Sequence, residues 1–372
     1  MKTFSSRSMT IRKSSMILWS LFIIMLCISG FRWDVGIDWM SYYTTFDGDL
    51  LKLATFEERI EPGNILIKLL LNTNGYDNSL YWIWSMSFIT LFCIFYTTNK
   101  LSPLPLFSIA LYICLGMYFY SFNGIRQHCA VALTTILWPC LIERKLIKYI
   151  IGVIIASLFH KSAMIILPIY FFCRHKFNKN TLIIGLIITL LLGTIASTII
   201  DKVASYIPAY NVYQGSEYAQ SNSNLLSYLR ILFPLILFSL LIPVYDKLTT
   251  DNIQKVFTNL TLISIYLGVL FPNTALGIRI NYYFLISQII FIPMLCKAYS
   301  AKNSLIIKTF CIIYGFCFIY FTLLSKPVAK ILPYQFTLEI ANTSLLKITI
   351  AIYIILWFYI HLIFIKPVKS KH

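Results

Sequence analysis

Residues 79–97 read SLYWIWSMSFITLFCIFYT, an apolar run of nineteen residues without a charge. A run of that length matches the helix of about 20 residues that crosses the apolar layer of a bilayer. Comparable runs recur from one end of the chain to the other. Of its 372 residues, 58% are hydrophobic and only 12% charged, and the mean hydropathy is +0.76; an ordinary soluble domain carries roughly 25% charge. No soluble stretch between the runs exceeds about fifty residues, which is too short for a sizeable core. A water-soluble globule is excluded, and the reading is an all-α, polytopic integral membrane helical bundle forming a single domain over 1–372.

The apolar runs place about twelve transmembrane helices at 16–30, 79–97, 104–121, 126–142, 146–160, 162–173, 181–200, 228–245, 256–272, 280–296, 304–324 and 345–365. The pair flanking His160 is short for two full spans, which leaves room for a re-entrant or tilted arrangement. The basic start, Lys2 to Lys13, with the apolar run behind it reads as a retained signal anchor, because no small-residue cleavage site follows. Most Lys and Arg then fall on one side of the helices, which predicts that both termini are cytoplasmic. All Asp and Glu except Glu143, Asp246 and Asp251 fall on the other side. Three outer segments are long enough for chemistry: 31–78, 201–227 and 325–344. The first carries an apolar stretch after Pro62 that suits an interfacial helix.

The net charge of +17 does not signal nucleic acid, since the cations are scattered between apolar runs rather than gathered on a solvated face. Nine cysteines stand in or beside apolar runs, with no CxxC and no clustering with His, so neither disulfides nor a metal site is indicated. Phosphate-binding and dinucleotide-binding glycine loops are absent, and no cofactor is expected.

Ionisable groups at membrane helices cost about 2.5 to 3.5 kcal/mol each on insertion scales, so they tend to have a function or a partner. Arg126, His160, Lys161, Arg230 and Arg279 all map to outer helix ends. Arg126 lies in a first helical turn, where it opposes the helix dipole, and an anion bound nearby would reward both it and the exposed backbone N–H groups. Snorkelling to lipid headgroups is the competing explanation, and it explains Arg230 fully. Arg279 precedes Tyr282 and Tyr283 at helical spacing, placing a guanidinium and phenol rings on one face; an aromatic belt gives the same pattern. An unperturbed imidazole has its pKa near neutrality, which would allow His160, beside Lys161, to take a proton from a hydroxyl; a structural hydrogen-bonding role is the competing explanation. Asp34 and Asp38, four apart, share a face if that stretch is helical; pairing with Arg32 would organise the same loop without catalysis.

In order, the motifs resemble the EpsG family of exopolysaccharide proteins, relatives of Wzy-type polymerases. The resemblance rests on Arg32 to Asp38 with Tyr42, on Glu61-Pro62-Gly63, on Phe122-Asn123-Gly124-Ile125-Arg126-Gln127, on Phe159-His160-Lys161-Ser162-Ala163 running to Leu167-Pro168, and on Arg279 with Tyr283-Phe284. Ile37 departs from the pattern, standing where a small hydroxyl residue is expected. The resemblance implies a polymerase at the outer face of the bacterial cytoplasmic (inner) membrane, joining oligosaccharide repeat units carried on undecaprenyl diphosphate without a metal. It implies His160 or Asp38 as base, with Arg126 and Arg279, aided by Arg230 or Lys161, answering the diphosphate. Arg32, Asp34, Tyr42, Glu61, Gln127, Tyr282 and Tyr283, with Trp33 and Trp39, would hold the substrate. The bilayer, a flippase and a chain-length regulator are the expected partners. An O-antigen ligase, a glycan O-acyltransferase and a flippase or transporter are the alternatives.

Overall fold

The structure is a computed structural model describing residues 2–46, 60–76, 78–205, 224–321 and 330–364. The acidic residues Asp47, Asp49, Glu57, Glu58 and Asp77, with Arg59, lie outside the described residues, as does most of the 201–227 segment. Among those described, every regular element is helical, and extended backbone pairs at an isolated antiparallel bridge between Arg32 and Phe336.

Four helices are long and apolar enough to cross a membrane: Ser79–Leu101, Asn252–Leu270, Ala301–Ile319 and Thr343–His361. Two bent pairs raise the number to six if each is one span. Other expected segments fall in Lys2–Gly30, in Asn224–Val244 and in the shorter helix Leu146–Ser157. About twelve spans were expected; among the described residues four to six meet the length and composition criterion, and several of the other expected runs are broken helices. Gly116, at φ +75°, separates Pro105–Cys114 from Met117–Asn123 with a bend of 52°. The run expected as one helix over 126–142 stops at Thr135 and restarts at Trp138, with Pro139 in its first turn. The stretch 162–173 splits at Leu167-Pro168 into a tight 3₁₀ segment, Lys161–Ile166, and a short helix, Ile169–Phe172.

The chain forms two compact units. The first comprises Met1–Asn99, Ser121–Tyr170 and Tyr334–His372. Its helix Ser79–Leu101 is buried over 94% of its apolar window, so protein rather than solvent or lipid surrounds it. Trp82 stacks on Phe46 with ring centroids 3.8 Å apart, and both are buried. At the end of the first helix Gly30 lies against Trp84, whose ring would be 2.3 Å from a Cβ placed there. Outward from this helix, Thr343–His361 is buried over only 33% of its window and exposes Leu346, Ile350 and Phe358. Faces that apolar are stable only against hydrocarbon.

The second unit comprises Lys100–Tyr120 and Phe171–Pro333. Its organiser is Asn252–Leu270, on which Lys179–Ser205, Asn224–Val244, Ala275–Leu285 and Gln288–Ala298 pack. Asp251 caps that helix by accepting the Gln254 N–H. Asn259, buried in its middle, donates to the carbonyls of Cys173 and His175 at 2.9 and 2.8 Å, tying a loop to the helix.

Candidate functional site

In the first unit the sequence motifs converge. Glu61-Pro62-Gly63 opens the helix Pro62–Thr73, and each residue has a separate task. Pro62 takes the first helical position, where its missing N–H costs nothing. Gly63 donates its N–H to the Leu158 carbonyl at 2.7 Å, and a Cβ there would sit 2.7 Å from the same oxygen, so only glycine permits the approach. Glu61 occupies the cap position without capping its own helix. Its carboxylate reaches elsewhere: Oε2 accepts from Arg126 Nη1 at 2.6 Å, and Oε1 accepts the backbone N–H of Lys161 at 3.4 Å.

The Arg126 side chain is 26% exposed and that of Glu61 8%, so the pair is shielded but borders open space. The carboxylate that meets Arg126 in the first turn of Ile125–Thr135 is thus Glu61, a protein group where the sequence pointed to a bound anion. Tyr42 also hydrogen bonds Arg126 through its side chain. One guanidinium is therefore oriented by a carboxylate from one helix and a phenol from another, a charge-assisted arrangement that fixes its fork in space.

Asn123, three residues before Arg126, accepts the Ile37 N–H on Oδ1 at 2.7 Å. Gly36 sits at φ +105°, and a Cβ there would lie 2.8 Å from Asn123 Oδ1 and 2.9 Å from the Phe122 carbonyl. The Gly-x-Asp turn is therefore clamped onto the Asn-Gly-x-Arg segment, which puts Asp38, part-exposed, in the same neighbourhood. The left-handed Gly36 also overturns the expectation that Asp34 and Asp38 share a helical face. Asp34 itself has φ +50°, and the helix begins only at Trp39.

His160 caps the 3₁₀ segment. Its Nδ1 lies 2.6 Å from Ser162 Oγ and 3.4 Å from the Ser162 nitrogen, so that edge of the ring is engaged by the chain itself. Asn64, fully buried, donates from Nδ2 to the Phe159 carbonyl at 2.9 Å, fastening the His160 turn to the Glu61 helix. Lys161 takes part through its backbone rather than its ammonium, which is exposed.

Other predicted site residues stand elsewhere. Arg32 is only 1% exposed; it donates to the Ser29 carbonyl and to Ser87 Oγ and lies over the Phe122 ring at 4.9 Å, a position that organises the loop from inside. Gln127 is buried. Trp33 and Trp39 pack edge to face at 4.9 Å, and Trp39 is fully buried. Arg230, Arg279, Tyr282 and Tyr283 belong to the second unit. There Tyr283 is buried, whereas Tyr282 and Arg230 line a cleft with Tyr120, Asn281, Gln288 and Tyr314.

Sequence reasoning passed over Asn64, Asn281 and Gln288, and gave Ser162 only as part of a motif, with no role of its own. The available signal was a polar amide or hydroxyl inside or beside an otherwise apolar helix, which has to find a partner. Among the described residues, no three His, Cys, Asp or Glu side chains are grouped as a metal would require.

Compared with known proteins, the chain matches the EpsG family model over residues 16–336. No curated protein and no solved structure matches it.

Proposed function

Since the chain belongs to the EpsG family, a family of Wzy-like polysaccharide polymerases, we propose that it joins oligosaccharide repeat units carried on a polyprenyl diphosphate, at the extracytoplasmic face of the bacterial cytoplasmic membrane. The observation that carries this reading is the convergence of four separated motifs on the Glu61–Arg126 pair.

The chemistry is a displacement at the anomeric carbon of the donor sugar. An acceptor hydroxyl oxygen forms the new C–O bond, the bond to the diphosphate breaks, and the leaving group departs with the electron pair. The hydroxyl proton passes to a base. Arg126 answers the charge that develops on the diphosphate, and because Glu61 and Tyr42 already orient it, little reorganisation is needed as the bond breaks. His160 is the base the geometry favours. In the tautomer whose Nδ1–H donates to Ser162 Oγ, the Nε2 lone pair is the one that takes the hydroxyl proton. Asp38, held nearby by the Asn123 clamp, is the alternative acceptor. A single displacement inverts the anomeric centre. No cofactor enters the scheme, and a flippase and a chain-length regulator are the pathway partners it calls for.

Deletion of the gene in its host, with the surface glycan resolved on a gel, tests the reading. Collapse of a ladder to single repeat units, restored by the wild-type gene and not by Arg126→Ala, supports it. An unchanged ladder, or loss of the single units themselves, overturns it.

A further inference from the structure

The cleft of the second unit is lined by two buried acceptor atoms that the protein leaves unpaired. Gln288, 1% exposed, donates from Nε2 to Ser264 Oγ at 3.1 Å, while its Oε1 is buried and has no hydrogen-bond partner in the protein. Asn281 Oδ1 is in the same condition. Both residues line the cleft. A buried acceptor left unpaired costs about 1–3 kcal/mol, and native structures rarely tolerate it without a reason.

The remaining walls are aromatic. Tyr120 and Tyr282 lie 5.6 Å apart with ring planes at 34°, and Tyr314 and Phe318 are stacked at 5.7 Å. Arg230 sits among them and donates weakly to the Pro272 carbonyl at 3.4 Å.

Two carbonyl acceptors call for a ligand that donates hydrogen bonds, and broad aromatic faces call for one with flat apolar surface. A hydrocarbon tail offers no donor. A diphosphate offers only acceptors and would be repelled by the amide oxygens. A pyranose ring offers hydroxyl donors at its rim and C–H groups on its faces.

We propose that this cleft is a glycosyl-binding subsite, in which Gln288 and Asn281 accept sugar hydroxyls and the tyrosines stack on the ring. The assignment of that sugar to a lipid-linked repeat unit rests on the polymerase reading; the binding itself does not. Gln288 and Asn281 are here specificity-determining residues.

The test uses full-length protein in nanodiscs, methyl β-D-glucopyranoside as probe and inorganic pyrophosphate as the anionic comparison, read by saturation-transfer difference NMR. Transfer to the sugar ring is expected in the wild type and in Arg126→Ala. In Gln288→Met, whose side chain fills similar space without the carbonyl, the apparent affinity should fall about tenfold, the usual effect of one lost buried hydrogen bond. Asn281→Ala should behave alike and carries the test if Gln288→Met does not insert stably. Absent transfer in the wild type, or equal transfer in both variants, overturns the proposal. So does displacement of the glucoside by pyrophosphate that Arg230→Ala abolishes, which would make the cleft an anion site. If gene deletion leaves the polymer unchanged while glucoside transfer still depends on Gln288, the polymerase reading falls and the sugar site stands. Loss of polymer without glucoside transfer gives the reverse.

Discussion

In the first unit, Glu61 spends one oxygen on Arg126 and the other on the Lys161 N–H, Asn64 ties the His160 turn to the Glu61 helix, and Asn123 holds the Gly36 turn. In the second, Gln288 and Asn281 turn carbonyl oxygens into a cleft with no protein donor to meet them. Polar groups matched to each other fix a geometry, whereas an unmatched acceptor that lines a cleft is open to a ligand; Asn64 Oδ1, unmatched in the first unit, does not line that cleft. The first arrangement suits a site where charge must be met without rearrangement. The second suits recognition, in which the ligand completes the hydrogen bonding.

Variants of Arg126 sharpen the comparison most. Arg126→Ala removes the group proposed to answer the leaving diphosphate, and polymer output should drop by at least about 10²-fold, as for loss of one donor to a developing oxyanion. Arg126→Lys should recover little of it, because an ammonium lacks the planar fork that meets Glu61 and Tyr42 together. Gel densitometry of the glycan, normalised to the protein in membranes, gives both values. Output from Arg126→Lys close to wild type would reduce the cluster to a simple charge pair.

Next in size is Glu61→Gln. The amide keeps the shape and can still accept from Arg126, but loses the charge, so output is expected to fall about tenfold, less than for Arg126→Ala. Equal losses would mean that Glu61 does more than orient its partner. Gly63→Ala then probes the framework alone. Its Cβ would meet the Leu158 carbonyl at 2.7 Å, and overpacking of that kind costs about 1–3 kcal/mol. The thermal midpoint of the detergent-solubilised protein should drop, whereas Gly75→Ala, with nothing within 4 Å but φ at +79°, pays only for backbone strain.

The two units also differ in how far they could be read in advance. The first cluster is written in short motifs. Arg126 and His160 stand out in the sequence as charged or titratable groups at helix ends, whereas Glu61 and Tyr42 came only with the family resemblance. The cleft is built from Tyr120, Arg230, Tyr314 and the Asn281 to Gln288 stretch, segments far apart in sequence and brought together only by helix packing. No spacing rule reaches across such distances. Arg230, which snorkelling alone would explain, proves to line the cleft, and Arg279 is not among the residues lining it. The apolar runs located the helices well. Whether each run is one straight helix was harder to read, since that turns on Gly116, Pro139 and Pro168, which re-route a chain whose hydropathy stays high. Asp34 and Asp38 failed as a helical pair for a similar local reason, the left-handed Gly36.

The smallest effect belongs to a third polar group, in the second unit and away from the cleft. Asp246 accepts from Lys176 Nζ at 2.9 Å and from Lys179 Nζ at 2.7 Å, and these hydrogen bonds, with the two ammonium charges, hold its carboxyl below the usual 3.8. Because the folded value is depressed, the stabilisation is present above the unfolded value and disappears as pH falls through the folded one. All three side chains are exposed, so water and salt screen most of the attraction. Asp246→Asn should therefore lower the thermal midpoint slightly at neutral pH and low ionic strength. The difference should vanish in about 0.5 M salt and again in acid well below pH 3.8. Polymer output should match wild type throughout. A loss of polymer in Asp246→Asn would show that matched pairs outside the Glu61–Arg126 cluster also govern the reaction, and would break the division of labour drawn between the two regions.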